Sequence, residues 1–83
     1  MLAVLLEPRA QRELEEVPSP YRERMIEAFE RLGLDPLGGK PLNGRFRGCR
    51  SYRVGDYRVI YRVQADQGRV LVGHIAHRRE VYR

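Results

Sequence analysis

The sequence predicts a small α+β domain: an N-terminal strand, a helical hairpin, then an antiparallel three-stranded meander, in the order β-α-α-β-β-β. Three observations carry this reading. Two runs of β-branched and aromatic residues flank Gly55-Asp56, which is the pattern of a β-hairpin. Two earlier stretches repeat apolar residues at helical spacing and are separated by Pro18-Ser19-Pro20. The chain has 83 residues, which sets a single domain burying roughly 60–65% of the surface its unfolded form exposes.

Residues 1–6 are apolar but far too short for a membrane span, and no basic residue precedes them, so they read as an edge strand. Pro8 suits a first helical position, where its missing N–H costs nothing. Ala10, Leu14 and Val17 then recur at i, i+4 and i+7, predicting a helix over 8–16. Ser19 reads as the N-cap and Pro20 as the first residue of a second helix, with Gly33 just beyond its end. Its apolar stripe is Tyr21, Met25, Ala28 and Leu32, widened by Ile26 and Phe29. Glu13, Glu16, Glu23, Glu27 and Glu30 read as the solvated outer faces of the two helices. Residues 34–48 form a long loop-rich segment that carries Lys40, Arg45 and Arg47, and long loops inside small domains are often functional.

Glycine first in a two-residue loop suits a type II′ turn, which needs positive φ at that position. That loop sets Val54 opposite Tyr57, Arg53 opposite Arg58 and Tyr52 opposite Val59. Alternation then puts Tyr52, Val54, Tyr57, Val59, Tyr61 and Val63 on one face, and Arg53, Arg58, Ile60 and Arg62 on the other. Like charges directly across a strand pair are unfavourable. Two facing guanidiniums therefore point to an anion between them, and a phosphate fits their planar forks. After a turn at Ala65-Asp66-Gln67-Gly68, residues 69–77 read as the last strand. The chain then closes on His77-Arg78-Arg79-Glu80-Val81-Tyr82-Arg83, bringing an imidazole, three guanidiniums and a phenol together. His74 falls on the opposite sheet face from His77 and reads as a structural, hydrogen-bonded residue.

Charge is segregated along the chain. Residues 1–39 hold five arginines against eight acids, and residues 40–83 hold Lys40 and ten arginines against three, so the halves carry −3 and +8. A polyanion contacted by the C-terminal half follows. One cysteine, Cys49, forms no internal disulfide and points to a reducing, cytoplasmic setting. One Cys and two His fall short of a zinc set, and no cofactor motif is present.

Pro41-Leu42-Asn43-Gly44, the hairpin from Tyr52 to Tyr61, and Ile75-Ala76-His77-Arg78-Arg79-Glu80-Val81-Tyr82 together resemble the RelE/ParE superfamily of toxins from toxin–antitoxin pairs. The resemblance covers almost the whole chain and favours the RelE-like branch. It implies a RelE-like small sandwich and a ribosome-dependent mRNA endoribonuclease that cuts in the A site without metal. The ribose 2′-OH would attack the adjacent phosphate. By this resemblance Arg53 and Arg58 bind the phosphate and His77 transfers a proton. Arg78 contacts the leaving or phosphoryl oxygen, and Tyr82 stacks on a base or assists. Lys40, Arg45, Arg47, Arg50, Arg62, Arg79 and Arg83 are expected to bind RNA or the ribosome. The implied partners are an antitoxin whose acidic or amphipathic segment wraps the domain, the ribosome with its mRNA, and operator DNA through the antitoxin alone, with no membrane. A hairpin position that is lysine in the best-known member is Ser51 here, and the C-terminal helix of some relatives is expected to be absent or negligible. The alternative within the superfamily is a ParE-like inhibitor of DNA gyrase, or a non-catalytic relative that binds antitoxin and DNA.

Overall fold

In the computed structural model, which describes residues 1–81, the chain runs β1 (Ala3–Leu6), α1 (Pro8–Glu16), α2 (Tyr21–Leu34), β2 (Lys40–Pro41), β3 (Arg50–Val54), β4 (Tyr57–Gln64), β5 (Arg69–His77) and α3 (Arg78–Val81). The strands form one sheet in the order β1-β5-β4-β3-β2, with β1 parallel to β5 and all other pairs antiparallel. This is the predicted α+β order with a two-residue strand added from the long loop segment. β1 pairs Ala3 to Leu6 with Arg69 to Val72, so the first and last strands of the chain are neighbours.

The helices cover one sheet face. Ala10 and Val17 of the first helical stretch, and Met25, Ala28, Phe29 and Leu32 of α2, pack with Val54, Val59, Tyr61, Val70, Val72 and Ile75. Most of the predicted stripes are buried, with Leu14 and Tyr21 partly so, but Ile26, expected to widen the second stripe, is 45% exposed and lies off the core.

The hairpin register is the one read from the turn: Val54 with Tyr57, Arg53 with Arg58, Tyr52 with Val59. Gly55 has φ +59° and Asp56 has no positive φ, which is the type II′ requirement.

The helix ends differ from expectation. The second helix starts at Tyr21, and Ser19 does not cap it, because its hydroxyl donates instead to the Glu23 carboxylate at 2.8 Å. That bond holds the exposed Glu23 carboxyl below its usual range. Gly33 lies inside α2 rather than beyond it. Its carbonyl accepts the Leu2 N–H at 2.9 Å, and a Cβ there would stand 2.8 Å from the Leu2 carbonyl oxygen. Close approach of helix and strand, and not helix termination, is what requires glycine here.

β5 carries a break in register. Ile60 pairs with His74 but Tyr61 pairs with Val72, so the ladder steps over Gly73. This β-bulge turns Val70 and Val72 into the core alongside Ile75, although strict alternation would separate them. Below the bulge β1 has already ended, and α1 lies along β5 there. Glu13, read from sequence as an outer-face residue, turns inward: its Oε1 accepts the Ile75 N–H at 3.0 Å. Glu16, Glu23, Glu27 and Glu30 are exposed, as expected.

Residues 34–48 are more ordered than a crossover loop. Lys40 pairs with Ser51 and Pro41 with Arg50, the Leu42 N–H donates to Cys49 O, and Gly44–Phe46 forms a 3-10 turn. The C-terminal helix expected to be absent or negligible is, among the described residues, the single turn Arg78–Val81. Among the described residues no helix is long and apolar enough to cross a membrane.

Candidate functional site

The sheet face away from the helices is where the charged chemistry gathers. Strand alternation places Arg53 and Arg58 there as direct partners, with Ala76 of β5 opposite Arg58. At the hairpin end a cleft of about 280 Å³ is lined by Arg53, Gly55, Asp56, Tyr57, Arg58 and Arg78. Arg78 is anchored by its backbone, whose N–H donates to Asp56 O at 2.6 Å, and its guanidinium stands 3.9 Å from the Asp56 carboxylate. Arg53 Nε donates to Gly55 O at 2.9 Å, which fixes the guanidinium along the turn. The turn is therefore both the link between two strands and the holder of two arginines from different elements.

Arg58 also lines a second groove, of about 340 Å³, over the middle of the same face. Ile60 and Ala76 form its floor, Leu42, Arg45 and Phe46 of the 40–49 segment wall one side, and His74 and Glu80 close the other. Ser51 sits beneath this groove, only 7% exposed, and its hydroxyl has no hydrogen-bond partner.

The residues leading into this wall are anchored by Tyr61, which is 1% exposed. Its hydroxyl accepts the Gly39 N–H at 2.9 Å and donates to Pro36 O at 2.8 Å. Burial pushes this phenol above its ordinary value of 10.0. Arg50 belongs to the same assembly. Its guanidinium donates to Gly39 O at 2.7 Å and to Leu37 O at 3.4 Å, because Arg50 pairs with Tyr61 and so shares the core-side face. The RNA-contacting role expected of Arg50 thus finds no support, and the residue acts as a loop anchor.

The two histidines are placed on opposite faces, as parity required. His77 pairs with Tyr57 and packs edge-on against its ring, with centroids 5.1 Å apart, and its Nδ1 accepts the Arg79 N–H at 3.1 Å. Tyr57 points to the core side, so His77 is turned away from the facing arginines, and the proton-transfer role expected of it has no support in this geometry. His74 stands on the arginine face. Its Nδ1 lies 2.8 Å from Glu13 Oε2 and 3.0 Å from Oε1, and its Nε2 lies 4.0 Å from Glu80 Oε2. It is hydrogen-bonded, as the sequence suggested, but it also faces the groove. Parity was the signal available in the sequence; the carboxylate partner, sixty-one positions away, was not.

The remaining basic residues are spread around this face. Arg45 lies over the Phe46 ring at 5.8 Å, Arg62 donates to Cys49 Sγ at 3.4 Å, and Lys40 and Arg47 are exposed on the 40–49 segment. Arg79 is exposed on α3. Tyr82 and Arg83 lie outside the described residues. Among the described residues no group of three or more His, Cys, Asp or Glu side chains is placed to hold a metal ion.

A sheet face carrying paired arginines, with a third delivered by the strand-terminal turn, on a strand–helical hairpin–meander fold, defines the class. The chain belongs to the family of ParE toxins of type II toxin–antitoxin systems (parDE), which matches residues 4–82. Within the wider superfamily its relatives are RelE-like. It is 36% identical over 76 residues to Toxin RelG of Mycobacterium tuberculosis, covering 89% of this chain and 87% of that one. It is 37% identical over 82 residues to Toxin RelE of the same organism, covering 96% and 84%. The fold superposes on the toxin–antitoxin complex RelBE2 of that organism with a TM-score of 0.84 at 33% identity, covering 93% of this chain and 98% of that one. It also matches the isolated E. coli RelE toxin with a TM-score of 0.80 at 22% identity, covering 99% and 92%, a likeness of fold.

Proposed function

We propose that this toxin is a ribosome-dependent mRNA endoribonuclease that halts translation by cutting the message in the A site. The observation that carries the reading is the convergence of Arg53, Arg58 and Arg78 on one open cleft at the hairpin end. In 2′-OH attack on the adjacent phosphorus, negative charge grows on the phosphoryl oxygens. Fixed guanidiniums stabilise that charge more in the transition state than in the ground state. Arg53 and Arg58 bind the phosphate, Arg78 contacts a phosphoryl or leaving oxygen, and Tyr82 stacks on a splayed base. Lys40, Arg45, Arg47, Arg62, Arg79 and Arg83 supply attraction to rRNA and mRNA phosphates, and that attraction weakens steeply as salt rises.

Among the described residues the open face is shallow and basic, without an extended aromatic platform for gripping free single strands, so ribosomal RNA supplies much of the substrate's orientation. An antitoxin is the second partner. The structures of RelBE2 and of E. coli RelBE are toxin–antitoxin complexes, and an acidic or amphipathic antitoxin segment offsets the +8 half of this chain. Operator DNA is reached only through that antitoxin.

Primer extension on one message, with and without programmed ribosomes, tests the reading. Cleavage confined to ribosome-bound message is expected. Equal cleavage of naked RNA refutes ribosome dependence. No cleavage together with inhibited DNA gyrase supports the second reading, which the family's ParE description favours.

A further inference from the structure

We propose that His74, oriented by Glu13, is the group that takes the proton from the attacking 2′-OH. This rests on the endoribonuclease reading and adds the proton acceptor that three arginines cannot supply, since a guanidinium stays protonated at any working pH.

Position comes first. His74 pairs with Ile60, two residues along β4 from Arg58 and on the same face. Diagonal neighbours of this kind are about 7–8 Å apart at Cα, a span that one arginine and one imidazole cover around a shared phosphodiester. His74 and Arg58 line the same groove.

Tautomer follows from the carboxylate. An ionised Glu13 only accepts hydrogen bonds, so His74 Nδ1, at 2.8 Å, carries the proton. The lone pair is thereby left on Nε2, which stands 4.0 Å from Glu80 Oε2, and both residues line the groove. Glu13 is itself fixed, its Oε1 by the Ile75 N–H and its Oε2 by Arg9 Nε at 3.5 Å. This is the arrangement of a carboxylate-oriented imidazole base. The charged groups around the ring are Glu13 and Arg9 from α1, Glu7 just before it, Glu80 from α3, Arg62 from β4, and Arg58 and Arg45 across the groove.

In the step itself the O2′–P bond forms, the P–O5′ bond breaks, and the 2′ proton moves to Nε2. The departing 5′-oxygen takes a proton from water, and the resulting hydroxide collects the proton held by His74. The products are a 2′,3′-cyclic phosphate and a 5′-hydroxyl. Glu13 acts as a positioning residue.

The test is single-turnover cleavage of a message on programmed ribosomes between pH 5 and pH 8. His74→Asn keeps a donor toward Glu13 and lacks the base. It is expected to cut about 100-fold or more slowly than wild type, at unchanged ribosome affinity, and at least tenfold more slowly than His77→Asn. The wild-type rate is expected to rise about tenfold per pH unit on its acid limb. Glu13→Gln is expected to displace that limb, which a loss of packing alone leaves in place. A His74→Asn rate within threefold of wild type overturns the assignment. So does a wild-type profile with no acid limb, a measurement that needs no variant to fold. If the wild type cuts nothing on ribosomes, the endoribonuclease reading falls and this assignment with it. Wild-type cutting with His74→Asn unimpaired removes only the assignment.

Discussion

Tyr61→Phe isolates what anchors the Pro36–Gly39 segment that leads into the groove wall. The ring is 1% exposed and phenylalanine fills the same space, so no cavity opens and only the hydroxyl is lost. That hydroxyl accepts the Gly39 N–H and donates to Pro36 O. Pro36 is half-buried, and its carbonyl can turn to water, but Gly39 is buried and its N–H is left without a partner. A buried unsatisfied donor costs about 1–3 kcal/mol. For a domain of this size each kcal/mol lowers Tm by roughly 4–8 °C, so an effect on the order of 10 °C is expected. The pH dependence gives a second measurement. Burial holds the folded phenol above 10.0, so the folded state keeps its proton where the unfolded chain has begun to release it. Tyr61 therefore contributes stability that is fully present below about pH 10 and is lost as pH rises through the folded value. Urea denaturation of wild type and Tyr61→Phe at pH 7 and above pH 10 measures both effects. Equal midpoints at pH 7, or a wild-type advantage that does not shrink in alkali, would refute the reasoning.

Arg58→Ala is expected to lower ribosome-dependent cleavage by about 100- to 1,000-fold, the usual cost of removing one preorganised stabiliser of developing charge. Fold and antitoxin binding are retained, and toxicity in cells at matched expression reads the loss. Gly33→Ala is expected to destabilise by about 1–3 kcal/mol despite the better helix propensity of alanine, because the Leu2 carbonyl just before β1 must retreat from the new methyl; thermal unfolding checks it.

Local chemistry made much of this molecule legible in advance. The Gly55-Asp56 turn set the whole β3–β4 register, and with it the Arg53–Arg58 pair. The spacing of Ala10, Leu14 and Val17 marked the first helix to its observed ends. What was not legible depended on contacts distant in sequence. Gly33 carries no mark that distinguishes a helix end from a close approach, since either needs the missing Cβ. Glu13 looked like one more surface acid until β5 supplied an unpaired N–H and an imidazole for it to meet. Arg50 looked like its basic neighbours, and only the loop carbonyls above Tyr61 give it a different employment. His77 was drawn toward the arginines by sequence proximity, yet one residue of strand alternation separates its face from theirs.

The skipped residue in β5 divides that strand into two independently adjustable parts. Before Gly73, the valines at 70 and 72 answer to the helices; after it, His74 and Ala76 answer to the open face. Substitutions that refine the groove therefore need not disturb the valines, and those that repack the valines need not rotate the imidazole. Deleting Gly73 would remove that freedom. A strand of unbroken alternation would have to choose which of its ends faces the wrong way, so the two-sided use of β5 traces to a single residue that the β4–β5 register steps over.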